Sequence, residues 1–335
     1  MKVLFIGGTG NISAASSRLA LDKGYEVYLL NRGNIDLPDL KNAKSIKCDI
    51  NNSVDVKKAL KGMEFDVVAN FIAFKPEEVL RDIELFSGIC KQYIFISSAS
   101  VYQKPLSHPI ITESTPLANP FWDYSRDKIA CEELLNKAYR ENGFPITIVR
   151  PSHTYETVIP VAIGSWTDFT LIDRMRKGKK IIIHGDGSSL WTITHSEDFA
   201  IGFVGLLGHQ QAIGQSFHIT SDEILNWNQI YESVAEAAGV ELNAVHIASD
   251  FICNVADEMG LDWMRGNLIG DKATSTIFDN SKIKTFVPDF KATIPFRQGF
   301  KRTIDWFDAD KSRRIINEEN NELLDRVIAE YERPG

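Results

Sequence analysis

Three side chains in this 335-residue sequence have the types and order for acid–base chemistry at a carbinol carbon. Ser98 closes an apolar run, and Tyr124 and Lys128 stand four places apart at the head of the helical stretch that follows. Residues i and i+4 share a helical face with Cβ atoms roughly 5–6 Å apart, which sets the Lys128 ammonium beside the Tyr124 phenol. A free phenol ionises at about pH 10, too high for a useful base, and a fixed neighbouring cation favours the phenolate. Proton transfer improves as the pKa approaches the working pH. Tyr124 is thus the candidate general base or acid, Lys128 its electrostatic support, and Ser98 the hydroxyl that orients a substrate oxygen. Tyr-x-x-x-Lys alone also suits a solvated helix face, so the surrounding elements must decide.

Those elements begin at the N-terminus. Lys2 to Ile6 reads as a strand, Gly7-Gly8-Thr9-Gly10-Asn11-Ile12-Ser13 as a glycine turn, and Ala15, Leu19 and Ala20 as the inner face of a helix. A strand, glycine turn and helix start let backbone approach a pyrophosphate and aim helix N-terminal amides at it. Gly8, Gly10 and Ser13 fit the Gly-x-Gly-x-x-Gly register with a small residue in the last place; the plain alternative is a βα turn. Gly7 to Ile12 are therefore the expected dinucleotide contacts. Glu26 to Leu30 reads as the second strand, and Asn31-Arg32-Gly33 follows it, where an acid would bind the adenosine ribose of NAD. No acid stands there. Asn31 can bond a hydroxyl and Arg32 offers a planar fork for a 2′-phosphate, which favours NADP over NAD. A solvated loop charge or adenine stacking are the other uses of Arg32.

Short apolar strands alternate with helices through the first half: Asp66 to Ala69, a helix over Glu77 to Ile89, Tyr93 to Ile96, the Tyr124 to Asn142 helix, and Ile146 to Val149. This predicts an α/β fold with a Rossmann-type, doubly wound parallel sheet and a smaller mixed α/β domain. Ligands in such sheets bind beyond the strand carboxyl ends, where Ser98, His153 and the glycine turn all fall. In the second half, Lys180 to His184 and Ser216 to Ile219 read as strands able to rejoin the sheet. Trp227 to Ala238, Pro295 to Asp308 and Asn320 to Glu332 read as helices.

Composition excludes other classes. With 37 basic and 45 acidic residues the net charge is −8, which argues against a partner held through nucleic-acid phosphates. No opening segment has the form of a signal peptide and no run approaches a membrane span, so a cytoplasmic protein is expected. The four cysteines, Cys48, Cys90, Cys131 and Cys253, lack paired spacing and no Cys/His cluster has zinc spacing, so no metal is implied.

Together, Gly7-Gly8-Thr9-Gly10, Ile96-Ser97-Ser98-Ala99-Ser100-Val101-Tyr102, Tyr124-Ser125-Arg126-Asp127-Lys128 and Arg150-Pro151-Ser152 resemble the extended short-chain dehydrogenase/reductases of the NAD-dependent epimerase/dehydratase family. The resemblance spans nearly the whole chain. It implies adenine contact by Asp49 with Ile50, backbone of Phe71, Ile72 and Ala73 along the cofactor, Lys75 near its ribose, and Ser97, Pro151 and Ser152 around the nicotinamide. Capping of the next helix by Asp49, a solvated Lys75, or Ser97 or Ser100 as the oriented hydroxyl are the alternatives. It also implies a cofactor domain over 1–155 with 179–222, a substrate domain over 156–178 with 223–335, and a homodimer through the Glu77 and Tyr124 helices.

Departures from the family pattern bear on substrate. Ala99 and Ser100 stand where the 4,6-dehydratases carry an Asp-Glu pair, which disfavours elimination because it needs a second acid or base. Trp191 replaces an arginine that grips the nucleotide diphosphate; an indole stacks on a sugar or base but cannot pair with phosphate. Another cation, Arg174 or Arg265, then holds the diphosphate, or the substrate is not a sugar nucleotide. Ser100, His153, Tyr155 and Trp191 are the candidate substrate contacts, with Trp166 as a further aromatic wall. The implied function is an NAD(P)-dependent epimerase or reductase acting on a carbinol or ketone of a sugar-like small molecule. A nucleotide-binding regulator, or an RNA-associated protein of the same fold using the basic cluster Arg174, Arg176, Lys177, Lys179 and Lys180, is the alternative without turnover.

Overall fold

Apolar strands with no polar face must be covered on both sides. Such strands make the centre of a seven-stranded parallel sheet, edged by the polar, exposed Lys44–Lys47, in the computed structural model, which describes residues 1–33, 38–164 and 166–333. The seven strands are β1 (Lys2–Ile6), β2 (Glu26–Asn31), β3 (Lys44–Lys47), β4 (Val67–Asn70), β5 (Tyr93–Ile96), β6 (Ile146–Pro151) and β7 (Gln215–Ile219). Their spatial order is β7-β6-β5-β4-β1-β2-β3. Every pairing is parallel, with Val3 opposite Val27 and Val67, and Phe95 opposite Ile148. Strand order reverses between β1 and β4, and a crevice at that switch point is where such sheets hold ligands.

The two faces carry separate cores. Phe5, Leu29, Phe199, Phe203 and Phe217 fill one, and Leu4, Val68, Phe86, Tyr93, Phe95 and Leu135 the other. Three helices matter for the site: α1 (Asn11–Asp22), α2 (Pro76–Phe86) and α3 (Asp123–Asn142). Ala14, Ala15, Ser16, Ser17 and Ala20 are buried on α1, small enough to bring it close to the sheet and to the helix at Ser196–Leu206.

A third core lies outside the sheet. Ile181, Ile182 and Ile183 pack there with Trp227, Tyr231, Phe296, Phe300 and Leu323. The expectation that the 180–184 strand rejoins the main sheet is corrected: Ile181–His184 pairs in parallel with Ala244–Ile247 instead. Only Gln215–Ile219 returns to the main sheet, beside β6. Ile181–His184 is the more apolar of the two runs, so hydrophobicity does not decide which strand joins the sheet; the neighbour each meets does. The helices expected at Trp227, Pro295 and Asn320 form at Trp227–Ala238, Phe296–Ala309 and Glu318–Tyr331.

Candidate active site

The glycine turn has the shape of a phosphate cradle. Gly7 takes φ +77°, open to glycine without strain, and a Cβ on Gly8 would lie 2.6 Å from Leu29 Cδ2. Ser13 fills the register's last place and earns it: its Oγ accepts from the Gly10 amide at 2.8 Å and donates to the Gly7 carbonyl at 2.6 Å. Asn11 donates through Nδ2 to the Thr154 carbonyl at 2.8 Å, and its buried Oδ1 has no partner among the described residues. A compact turn, a twelve-residue helix starting from it and an unused acceptor fit a dinucleotide pyrophosphate and its neighbouring hydroxyls.

Beyond the turn opens a cavity of about 510 Å³, and it brings the expected groups together. Gly7, Gly10, Asn11, Ile12, Phe71 and Ile72 line one side; Ser97, Ser98, Ser100, Tyr124, Lys128, Pro151, Ser152, His153 and Trp191 line the rest. Ser98 follows β5, Tyr124 and Lys128 rise from the first turns of α3, and Pro151 ends β6. The Ser98 hydroxyl lies close enough to the Tyr124 phenol to favour its phenolate. Ser98 Oγ also lies 2.9 Å from Ser100 Oγ, which accepts from Ser125 Oγ at 2.8 Å. Ser100, expected to contact substrate, thus spends its hydroxyl orienting Ser98, and buried Ser125 anchors the chain.

One electrostatic expectation is corrected. The Tyr124 phenol is pushed up to about 12, by burial first and then by the Asp271 carboxylate, with the Ser98 hydroxyl opposing. Lys128 does not reach the phenol oxygen: its Nζ donates to the carbonyls of Ala73 at 2.7 Å and Ile96 at 2.8 Å, and lies 5.9 Å from the Tyr124 ring centre. Burial pulls the Lys128 ammonium down to about 8. Helical spacing fixes the face that two residues share, and the carbonyls within reach fix where the ammonium rests.

The substrate end differs more from expectation. His153 stacks on Trp166 with ring centres 4.1 Å apart and accepts from Trp191 Nε1 at 3.1 Å. Tyr155 is corrected from a substrate contact to a core residue: it is fully buried, edge-on to His195 and Phe296, and does not line the cavity. Thr154 lines it instead. Arg174 and Arg265 are likewise corrected as diphosphate ligands. Arg174 is buried against Asp325 and Lys180 O, Arg265 pairs with Asp257, and neither lines the cavity. The remaining cations of the basic cluster pair with Asp308, Asp173, Asp325 and Glu332, Asp325 being shared with Arg174, so each of the five cations has a carboxylate partner. The cation that does reach this end is Lys272, next to Asp271, and sequence reading missed both.

The adenine-side candidates lie outside the cavity lining. Asn31 Oδ1 accepts from the Gly33 amide at 2.9 Å, Asp49 accepts from the Asn51 amide at 2.9 Å, and Arg32 and Lys75 are exposed. Ile50 and Ala73 are buried, Gly8 sits beneath the turn and Thr9 is half-buried on it. Among the described residues no cluster of three or more His, Cys, Asp or Glu is placed to hold a metal, and no helix is long and apolar enough to cross a membrane.

Comparison with known proteins bears on the fold and the family. The chain is 26% identical over 251 residues to the chloroplast stem-loop binding protein of 41 kDa b of Arabidopsis thaliana, covering 71% of this chain and 63% of that protein. It is 21% identical over 251 residues to the 2'-dehydrokanamycin reductase of Streptomyces kanamyceticus, covering 75% and 70% respectively. Among solved structures, the UDP-glucuronic acid 4-epimerase of Bacillus cereus, in complex with UDP-glucuronic acid and NAD, superposes with a TM-score of 0.72 at 21% identity, over 92% of this chain and 99% of that one. The model of the NAD dependent epimerase/dehydratase family matches residues 3–220, and the chain belongs to that family.

Proposed function

We propose that the chain is an NAD(P)-dependent oxidoreductase that interconverts a carbinol and a ketone on a sugar-like small molecule, as a reductase or an epimerase. The observation that carries this is the convergence of Ser98, Tyr124 and Lys128 on the same cavity as the glycine turn. A bound nicotinamide supplies the acceptor or donor for the hydride of the carbinol carbon. Ser98, held by Ser100 and Ser125, donates to the substrate oxygen. Tyr124 exchanges that oxygen's proton, and the Lys128 ammonium lies beside the ring as the positive charge that favours the phenolate. With its pKa raised, Tyr124 carries its proton at neutral pH, the form that gives a proton to a ketone oxygen. Ala99 and Ser100 offer no carboxylic acid for elimination, which disfavours 4,6-dehydration.

The domain division at 1–155 with 179–222 against 156–178 with 223–335 remains the proposed one, amended at 181–184, which packs in the third core. A homodimer through α2 and α3, where Leu80 is exposed, is the assembly proposed with it. The likeness to a stem-loop binding protein is the best support for the nucleic-acid alternative, and the paired basic cluster weighs against it. The test is a screen of ketone and carbinol sugars with NADH, NADPH and their oxidised forms, followed by nicotinamide absorbance, with Arg32→Ala as control. Turnover on one such pair is expected, with NADP favoured and the preference lost in the variant. Salt-sensitive RNA binding with no turnover would instead favour the alternative.

The Asp271 carboxylate raises the Tyr124 pKa, so Asp271→Asn lowers it. Carbinol oxidation needs the phenolate and rises with pH through that pKa. The alkaline rise is therefore expected to move to lower pH in Asp271→Asn, read from a kcat/KM–pH profile.

A further inference from the structure

Two lysines are buried near Asp271, and of the two Lys272 lines the substrate end of the cavity. Lys104 and Lys272 are 3% and 2% exposed. Lys272 Nζ donates to Asn267 Oδ1 at 2.7 Å and pairs with Asp271 Oδ2 at 3.3 Å, while Lys104 Nζ reaches only the Asp271 backbone carbonyl, at 3.5 Å. Among the described residues Asp271 is the sole carboxylate in ion-pair contact with either lysine. Burial pulls the Lys272 ammonium down, and an ammonium that faces the cavity with its one carboxylate at 3.3 Å gains from an anion placed beside it.

His153 supplies a second donor. An indole N–H only donates, so the Trp191 hydrogen bond fixes Nδ1 of His153 as the acceptor. Burial and the nearby Lys272 charge hold the imidazole neutral, which puts its one proton on Nε2. That atom is buried without a hydrogen-bond partner among the described residues. Lys272 Nζ and His153 flank the same two indoles: the ammonium lies 5.5 Å from Trp166 and 5.9 Å from Trp191, and both side chains line the cavity. Lys128 is the other lysine of the lining, already committed to two backbone carbonyls, and no arginine lines it.

Resting on the hydride-transfer function proposed above, we infer that the substrate is compact and carries a single oxyanion, held by the Lys272 ammonium and the His153 Nε2–H, in place of a nucleoside diphosphate. One cavity-lining ammonium, shared with Asp271, and one neutral donor suit a compact oxyanion such as a carboxylate or a phosphate monoester. They converge on one point, whereas a diphosphate spreads its charge over two phosphates and needs donors along both, and the tryptophans give the ring of the substrate an apolar wall.

Calorimetric titration of the full chain with D-glucuronate, D-glucuronamide, glucose 6-phosphate and UDP-glucose tests this. Glucuronate or glucose 6-phosphate is expected to bind at least about tenfold more tightly than glucuronamide, the scale of one charge-assisted hydrogen bond. Whichever of the two binds better identifies the oxyanion as carboxylate or phosphate. That advantage disappears in Lys272→Met, survives in part in Lys272→Arg, and shrinks in His153→Phe, which keeps the ring on Trp166 but removes the donor. Thermal melts check folding, and His153→Phe keeps the test decisive if Lys272→Met does not fold. Equal binding of glucuronate and glucuronamide, no binding by either glucuronate or glucose 6-phosphate, or tightest binding by UDP-glucose untouched by Lys272→Met overturns the inference. The titration involves no turnover, so it stands apart from the hydride-transfer function, which fails if Tyr124→Phe keeps full activity.

Discussion

Tyr124→Phe is expected to lose about 10²–10⁴-fold in kcat on the substrate found by screening, with KM changed far less, because general acid–base transfer contributes on that scale and acts in the transition state. The ring stays against Trp122 and Phe74, whose centres lie 5.0 Å and 6.4 Å away, so the change removes one oxygen and little packing. Lys128→Met should cost a similar factor by a different route. It withdraws the charge beside the phenolate and leaves the Ala73 and Ile96 carbonyls without their donor. The two losses should not add in the double variant, since both act on one proton. Steady-state rates with matched melting curves check this, and full activity in either single variant removes the assigned role.

Arg150→Met should destabilise the chain by about 3–5 kcal/mol, since breaking a buried pair strands its partner's charge. Arg150 and Glu132 are 5% and 1% exposed and bonded twice, Nε to Oε1 at 2.9 Å and Nη2 to Oε2 at 2.6 Å. Glu132 lies one helical turn beyond Lys128 on α3, and its Oε1 also accepts from Ser97 Oγ at 2.6 Å. Arg150 Nη1 reaches the Tyr102 hydroxyl at 3.3 Å, and that hydroxyl lies 3.0 Å from His218 Nδ1. The pair therefore ties β5, α3, β6 and β7 together directly behind the catalytic side chains. Arg150→Met with Glu132→Leu should cost much less than Arg150→Met alone, because the stranded carboxylate is gone. Denaturant unfolding of the three variants measures it; a double variant at least as unstable as the single would contradict the explanation.

The parts of the fold and site set by short-range pattern were legible in the sequence. The strand, glycine turn and helix at Lys2 to Asp22 are contiguous, and Tyr124 and Lys128 are bound by helical spacing, so one local rule finds each. What was not legible depends on partners distant in the chain. Lys272 and Asp271 reach the cavity from a π-helical turn, Leu268–Lys272, that continues the Trp263–Asn267 helix more than a hundred residues beyond Ser98, with no periodic signal. Tyr155 shares strand alternation with His153, but a rise of roughly 3.3 Å per residue carries it past the cavity and under Phe296. The Tyr124 pKa was misjudged because burial, invisible in helical spacing, outweighs the lysine that spacing brings near.

The central claim is that the glycine turn and the Ser98, Tyr124 and Lys128 set serve one nicotinamide. A crystal structure of the chain with a bound dinucleotide measures this directly. The pyrophosphate should lie on Gly7 to Ile12, with the nicotinamide in the cavity beside Tyr124 and its ribose within reach of Lys128. A dinucleotide bound with its nicotinamide away from those three side chains would contradict it.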